Sequence, residues 1–594
     1  MKHGYAFGDH IKTEKIKRRR YDDGSSRALR LRGFLLPIIL VVVGLSLVFK
    51  LFALQVVQGQ KYSQLSDSNR LRTLVIHAPR GVIFDRNGVP LVFNIPGFLQ
   101  ITKDKSGTKS VALKKEDALA QIAKGARNIE VDSLRQYPYK DAMSQILGYI
   151  GQISKDEVKS ENFLGYQPTD WVGKSGIEQT YEHMLRGTDG RQLLEVDAMN
   201  TVTRLLGRND PLPGQDITLT VDTKLQQAAY DASDSMKKGA VIVSRPDGEI
   251  LALVSKPSFD PNLFTLDKTY KSASTSAYTK ISDILTDGEN HPLLNRAIGG
   301  VYPPGSTFKL VTAVSGLETH VIDDQFGITD TGILKVGDFS YANWFYTEYG
   351  KKEQGKVDVV RAIARSNDIF FYKLGEKLSV DKLSKTAKEF GLGNILGIDL
   401  AGEAAGLVPT KQWKEKVIGE KWYLGDDFHF GIGQGYLLTT PLQVNSWTQV
   451  IANGGTLYQP HLIKGSSPVV KNKGIVSDKT LELVRKGMIE SCSPGGVAFP
   501  LFDFKVKNAS LKIDGKDIQS VASASADYRK ISVACKTGTA QHGDDKTLPH
   551  AWITLFAPAY HPQVVVTVLV ESSGEGSVVA APIAKKVLES YFGK

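Results

Sequence analysis

At 594 residues the chain exceeds what one hydrophobic core usually holds, so several domains are expected. Apolar residues make up 41% and charged residues 23%, ordinary fractions for globular protein that allow a sizeable core. The net charge of +11 is uneven: ten Lys/Arg meet four Asp/Glu before Gly33, and the run Lys17-Arg18-Arg19-Arg20 suggests nucleic acid only until the next segment is read.

Phe34 to Phe49 is uncharged and apolar, Lys50 interrupts, and Leu51 to Val57 is apolar again. Together the two pieces run to about 24 residues, enough to cross a bilayer with Lys50 snorkelling to the interface. A cleaved signal peptide is the alternative, but the arm is long and no small-residue cleavage site follows clearly. The basic flank places residues 1–33 in the cytoplasm, 34–57 in the plasma membrane and the rest outside. The arm is then a topology signal and a contact for anionic lipid heads, with no nucleic acid as partner. The two cysteines, Cys492 and Cys535, leave a single bridge open as a question. No His/Cys cluster has metal-ligand spacing, so no metal and no cofactor are expected.

Residues 58 to 212 form a first exported region. Ala78-Pro79-Arg80-Gly81-Val82-Ile83-Phe84-Asp85-Arg86-Asn87-Gly88 reads as two short strands around an Asn-Gly turn, its charges serving as salt bridges of a non-catalytic module. Gly173-Lys174-Ser175-Gly176 is only part of a phosphate loop and is not read as one. Ile177 to Leu185 reads as a helix, and Pro211 to Gly214 as a boundary. From there Asp216 to Val221 alternates like a strand, and Thr223 to Met236 reads as an amphipathic helix. Gly239 to Val243 and Glu249 to Val254 flank a turn in a hairpin. Residues 266–290 read as a mobile polar loop, and Val357 to Leu374 as one helix.

Tyr302-Pro303-Pro304-Gly305-Ser306-Thr307-Phe308-Lys309 is a sharp turn opening a helix, with Ser306 near its first turn. Three residues apart, Ser306 and Lys309 share a helix face. A serine hydroxyl needs a base, and a lysine whose pKa is lowered can be that base. Alone, Ser-x-x-Lys arises by chance in most chains of this size. Ser366-Asn367-Asp368 follows about 60 residues on, where a hydroxyl could relay a proton and a carboxylate or amide could hold a lysine or a substrate amide. Lys536-Thr537-Gly538-Thr539 follows the strand-like run Ile531 to Cys535, with another strand at Trp552 to Phe556. Gly538 would let an extended peptide lie along the strand edge. Lys536 and the threonine hydroxyls could hold a carboxylate, and the N–H groups of Ser306 and Thr539 an oxyanion.

The three motifs, in this order and spacing, resemble the penicillin-binding proteins and class A β-lactamases. APRGVIFDRNG (78–88), GKSGIEQTYEHMLRG (173–187), VSKPSFDPNLF (254–264), YPPGSTFK (302–309) and GIGQGYLLTTPLQ (431–443) narrow the resemblance to class B penicillin-binding proteins. These are peptidoglycan D,D-transpeptidases, and the pattern is most similar to the elongation type called penicillin-binding protein 2. Asp368 stands where division-type relatives usually carry Asn. The resemblance implies a mixed α/β (α+β) fold: one N-terminal transmembrane helix, an elongated β-rich pedestal (58–212), and a transpeptidase domain (213–594) with a central antiparallel sheet flanked by helices.

It also implies roles. Ser306 would attack the penultimate D-Ala carbonyl of a stem peptide, with Lys309 as base. Ser366 and Asp368 would handle the leaving amine's proton, with Asn367 at the substrate. Lys536, Thr537, Gly538 and Thr539 would bind the donor carboxylate or that of a β-lactam. A SEDS-class lipid II polymerase would be the membrane partner. A division-type enzyme or a non-catalytic scaffold are the alternatives. A bifunctional class A enzyme is excluded because the GKSGIEQ module stands where its glycosyltransferase would be. Two departures stand out: a long polar stretch at 499–530 and a short pedestal between about 96 and 140.

Overall fold

A computed structural model describes residues 26–593 except 105, 106, 127, 198, 200, 273–276, 508–517, 520–527 and 545. The basic run 17–20 and most of the 499–530 stretch therefore lie outside the described residues. The chain divides into two compact units, residues 1–76 with 190–210, and 77–189 with 211–594. Residues 77–189 share a unit with 211–594.

In the first unit a helix runs Ser26–Phe52 and continues through a π-helical turn, Ala53–Val57. Lys50 does not interrupt it, so the apolar stretch Leu35–Val57 is one helix long enough to cross a membrane. A helix Gly59–Arg70 leads to an antiparallel sheet of Leu71–Ile76, Gly190–Val196 and Val202–Asn209, with the middle strand second in sequence.

In the second unit, Ile83–Phe84 and Pro90–Asp104 pair antiparallel around the Asp85–Gly88 turn. Asp85 Oδ1 holds that turn, accepting from the N–H groups of Asn87 and Val89 at 2.8 Å each. Pro90–Asp104 also pairs with Gly107–Leu113 and Ile129–Gln136. Of the expected strand 216–221 only Ile217–Thr218 is in a sheet, parallel to Ile83–Phe84. The expected helix 177–185 is two short ones, Gly176–Thr180 and Glu182–Arg186, broken at Tyr181. Lys174 of the GKSG segment is ion-paired with Glu157 at 2.5 Å.

The core of the second unit is a five-stranded antiparallel sheet: β1 (Gly239–Ser244), β2 (Ile250–Lys256), β3 (Ala534–Ala540), β4 (His550–Ala557) and β5 (Val564–Val570), in the order β2-β1-β5-β4-β3. Its strands are rich in β-branched residues and buried on both faces, which is why they read as continuous apolar runs. Alternation sorts them cleanly. Val241, Val243, Val566 and Val568 face helices α1 (Thr223–Ala232) and α7 (Ala580–Phe592). Ile242, Val565, Leu569 and Trp552 face a larger core built on α2 (Lys309–Glu318), α4 (Asp368–Glu389) and α5 (Pro441–Ala452). Between α2 and α4 lies the short α3 (Val359–Ala364), and after α5 comes α6 (Asp478–Ser491).

The polar loop 266–290 contains a short helix, Ile281–Thr286. The described part of 499–530 forms a small antiparallel sheet, with Tyr528–Ile531 between Lys505–Lys507 and Ile518–Gln519. Cys492, at the end of α6, is joined by a disulfide to Cys535 in β3.

Candidate active site

The Ser306 segment is held from all sides. Tyr302 exchanges backbone hydrogen bonds with Thr439 at 2.9 and 2.8 Å, and Trp552 Nε1 donates to the Pro303 carbonyl at 3.1 Å. Gly305 N donates to the Gly433 carbonyl at 2.9 Å, which ties in the GIGQG segment. Gly305 has φ +53, and a Cβ there would stand 2.8 Å from the Thr539 carbonyl. Only glycine lets the turn come this close to β3. Ser306 lies half-buried on a one-turn 3-10 segment, Gly305–Thr307, just ahead of α2.

The second motif departs from the single helix expected over 357–374. A strand, Gly355–Asp358, comes first; then Asp358 caps α3, accepting from Arg361 N at 2.8 Å. The backbone breaks at Ser366 (φ +54), and Asn367 caps α4, accepting from Phe370 N at 2.8 Å. The physical reason is in the residues: Asn and Asp favour helix starts over helix interiors. Ser366 in the left-handed region costs roughly 1–2 kcal/mol. The break is what turns its hydroxyl toward the lysines.

Ser366 Oγ lies between two ammonium groups. Lys536 Nζ donates to it at 2.8 Å and Lys309 Nζ at 3.4 Å. Lys309 Nζ also reaches the Ser366 carbonyl at 2.9 Å and Asp368 Oδ1 at 2.6 Å. Lys536 Nζ completes its set on the Thr537 carbonyl at 2.9 Å. Both lysines are 0% exposed. Burial lowers the pKa of Lys309, with Asp368 pulling the other way. Burial and the charge of Lys309 push Lys536 well below its ordinary value, and Asp368 offsets this only in part. Two buried lysines facing one carboxylate give up a proton more readily than lysines in water. Such an arrangement could pass a proton between the two lysines through the Ser366 hydroxyl.

β3 is an edge strand, paired in the sheet only with β4, and Thr539 on it is exposed. Gly538 packs against the Ser306 turn. A Cβ there would meet Thr307 Cγ2 at 3.0 Å and the Pro304 carbonyl at 3.1 Å, so its bareness lets the Ser306 turn pack on the strand. Asn367 is turned into the protein. It is 0% exposed, and its Nδ2 donates to Asp330 Oδ2 at 2.7 Å and Gln354 Oε1 at 2.9 Å. It holds the turn from behind. Asp330, Gln354 and Asn343, whose Oδ1 accepts from Asp368 N at 3.3 Å, were not legible in the sequence, because no spacing links them to the motif they support. Trp344 N, which donates to Asp368 Oδ2 at 2.9 Å, was equally hidden.

The profile described as "Penicillin binding protein transpeptidase domain" matches residues 238–589, and that of "Penicillin-binding Protein dimerisation domain" matches 118–219. The chain belongs to the penicillin-binding proteins. Within them it is of the class B, PBP2 kind. This penicillin-binding protein is 31% identical to the peptidoglycan D,D-transpeptidase MrdA of Acinetobacter baumannii, over 93% of this chain and 86% of the relative. Among solved structures it is similar to Pseudomonas aeruginosa PBP2 in complex with WCK 5153 (33% identity, TM-score 0.67, 88% of this chain and 96% of that one). It is also similar to a chain from a peptidoglycan synthase complex that coordinates polymerization and crosslinking (29% identity, TM-score 0.69, 96% and 99%).

Proposed function

We propose that this penicillin-binding protein is an elongation-type D,D-transpeptidase that cross-links peptidoglycan stem peptides through an acyl-enzyme on Ser306. The observation that carries the reading is Ser366 Oγ suspended between Lys309 and Lys536, with Ser306 on the turn that leads into the Lys309 helix. Ser306 Oγ attacks the penultimate D-Ala carbonyl, and Lys309 takes its proton. The backbone N–H groups of Ser306 and Thr539 bind the oxyanion. The tetrahedral adduct collapses to an ester, and the terminal D-Ala leaves as an amine, protonated through Ser366 with Asp368 holding Lys309 in place. Lys536, Thr537 and Thr539 receive the donor carboxylate. An acceptor amine then attacks the ester and frees Ser306. A β-lactam enters as an analogue of the donor and stops at the ester.

Residues 58–212 serve as the pedestal and 213–594 as the transpeptidase domain. The helix Leu35–Val57 anchors the chain in the plasma membrane, with the basic arm in the cytoplasm against anionic lipid heads. A SEDS-class polymerase is the partner this arrangement suits, consistent with the synthase complex among its structural neighbours.

The test is covalent labelling by a fluorescent penicillin. Label on the wild type that is lost in Ser306→Ala is expected. Label that persists in the variant would move the nucleophile elsewhere, and a folded wild type that takes no label would favour a scaffold.

A further inference from the structure

We propose that His77, Asp170 and Asp189 bind one divalent transition-metal ion, zinc by the chemistry of the set, at a site remote in sequence from the catalytic motifs. One ligand atom from each of the three lies within 4.8 Å of the other two. Imidazole nitrogen and carboxylate oxygen are both zinc ligand types, and three of them leave a fourth tetrahedral position for water. The three residues come from separate segments of the chain, which is why motif spacing does not disclose them.

A second observation points to a ligand. The Asp170 side chain is 4% exposed, and its Oδ1 is buried without a hydrogen-bond partner. Leaving such an oxygen unmatched costs about 1–3 kcal/mol, more for a charged group. Asp170 lines a cavity of about 70 Å³ together with His77, Asp189, Asp132 and Arg186. That is room for an ion and a water.

The other polar atoms around the site are already committed. Arg186 Nη2 reaches Asp170 Oδ2 at 2.5 Å and Asp189 Oδ2 at 3.1 Å, which leaves Asp170 Oδ1 unused. Asp189 Oδ1 accepts from Ala78 N at 2.8 Å, which fixes that carboxylate. The neighbouring Arg80 and Arg135 are matched by Glu178 and Glu182. His77 Nδ1 stands 3.6 Å from Asp189 Oδ2, already turned toward the site.

The experiment uses the full chain in detergent, stripped with a chelator and dialysed against micromolar zinc, with bound metal measured by elemental analysis. The wild type should retain about one more zinc per chain than Asp170→Asn or a His77→Gln/Asp189→Asn pair, each checked for folding by circular dichroism. Zinc should also raise the wild-type melting temperature by at least about 2 °C and leave the variants' unmoved. Equal zinc in wild type and folded variants, or none in either, overturns the proposal. If the variants fail to fold, anomalous diffraction from zinc-soaked wild-type crystals decides: a peak bonded to these three side chains supports the site, and its absence removes it.

Discussion

Two buried charge clusters in the second unit invite comparison. One joins Arg80, Arg135, Glu178 and Glu182. Arg80 Nη2 lies 2.8 Å from a carboxylate oxygen of each glutamate, and Arg135 Nε lies 2.7 Å from Glu178. The other joins Lys309, Lys536, Asp368 and Ser366. The first balances two cations with two anions. Burial alone would raise the carboxyl of Glu178, but Arg135 and Arg80 outweigh it and hold it below its usual range. Its charges are locked. The second cluster sets two cations against one anion, and both lysines are driven toward the neutral form. Burial is common to both, so matched count and fixed guanidinium geometry make a structural tie, whereas a mismatch of lysines makes a site where protons move.

The comparison breaks most visibly if the mismatched cluster proves inert. Lys309→Ala should slow penicillin acylation by about 10²–10⁴-fold while the protein stays folded, as followed by the rate of fluorescent labelling. A rate within tenfold of wild type would take the base role from Lys309. The matched cluster should respond in the opposite currency. Glu178→Ala leaves Arg135 without an ion-pair partner and Arg80 with Glu182 alone, and should cost about 3–5 kcal/mol in urea unfolding, with the acylation rate per folded molecule unchanged.

A smaller effect sharpens the boundary between the two behaviours. The disulfide ties α6 to the strand just before Lys536 and closes a loop of 43 residues in sequence separation. Cys492→Ser should lower stability by about 2–4 kcal/mol, seen as a fall in melting temperature that reductant reproduces in the wild type. The smallest expected change is in pH dependence. Acylation needs a neutral lysine, so its rate should rise with pH along a limb below the ordinary lysine value of 10.5. The Asp368 carboxylate favours protonated Lys309, so Asp368→Asn should move that limb to lower pH. A limb that moves upward would mean that Lys309 is not the group being titrated. Folding stability should follow the same sign. The unfolded chain holds protons that the buried lysines do not, so stability should increase with pH across that window.

The long apolar N-terminal helix, the hairpin β1–β2 and the strands around Cys535 and Trp552 were readable from local composition and alternation. So were the three catalytic motifs, because Ser306-x-x-Lys309, Ser366-x-Asp368 and Lys536-Thr537-Gly538 each pack their chemistry into a few residues. The break at Ser366 was harder to see. Val357 to Leu374 has the apolar content of one helix, and the capping preference of Asn367 competes with it only weakly until Asp330 and Gln354 are packed behind the amide. Residues 77–189 and 211–594 carry different motifs, and contacts that exist only in the folded chain join them in one compact unit.

By itself, then, the sequence determined which groups could do chemistry and roughly which strand or helix each sits on, since side-chain type and local periodicity are properties of short segments. Only the tertiary structure decided that Lys309 and Lys536 converge on one hydroxyl from 57 and 170 residues away, that Asn367 supports the site from behind, and that Gly538 makes room for the protein's own turn. Those outcomes depend on burial and on charge balance between distant segments, and neither quantity exists until the chain has packed.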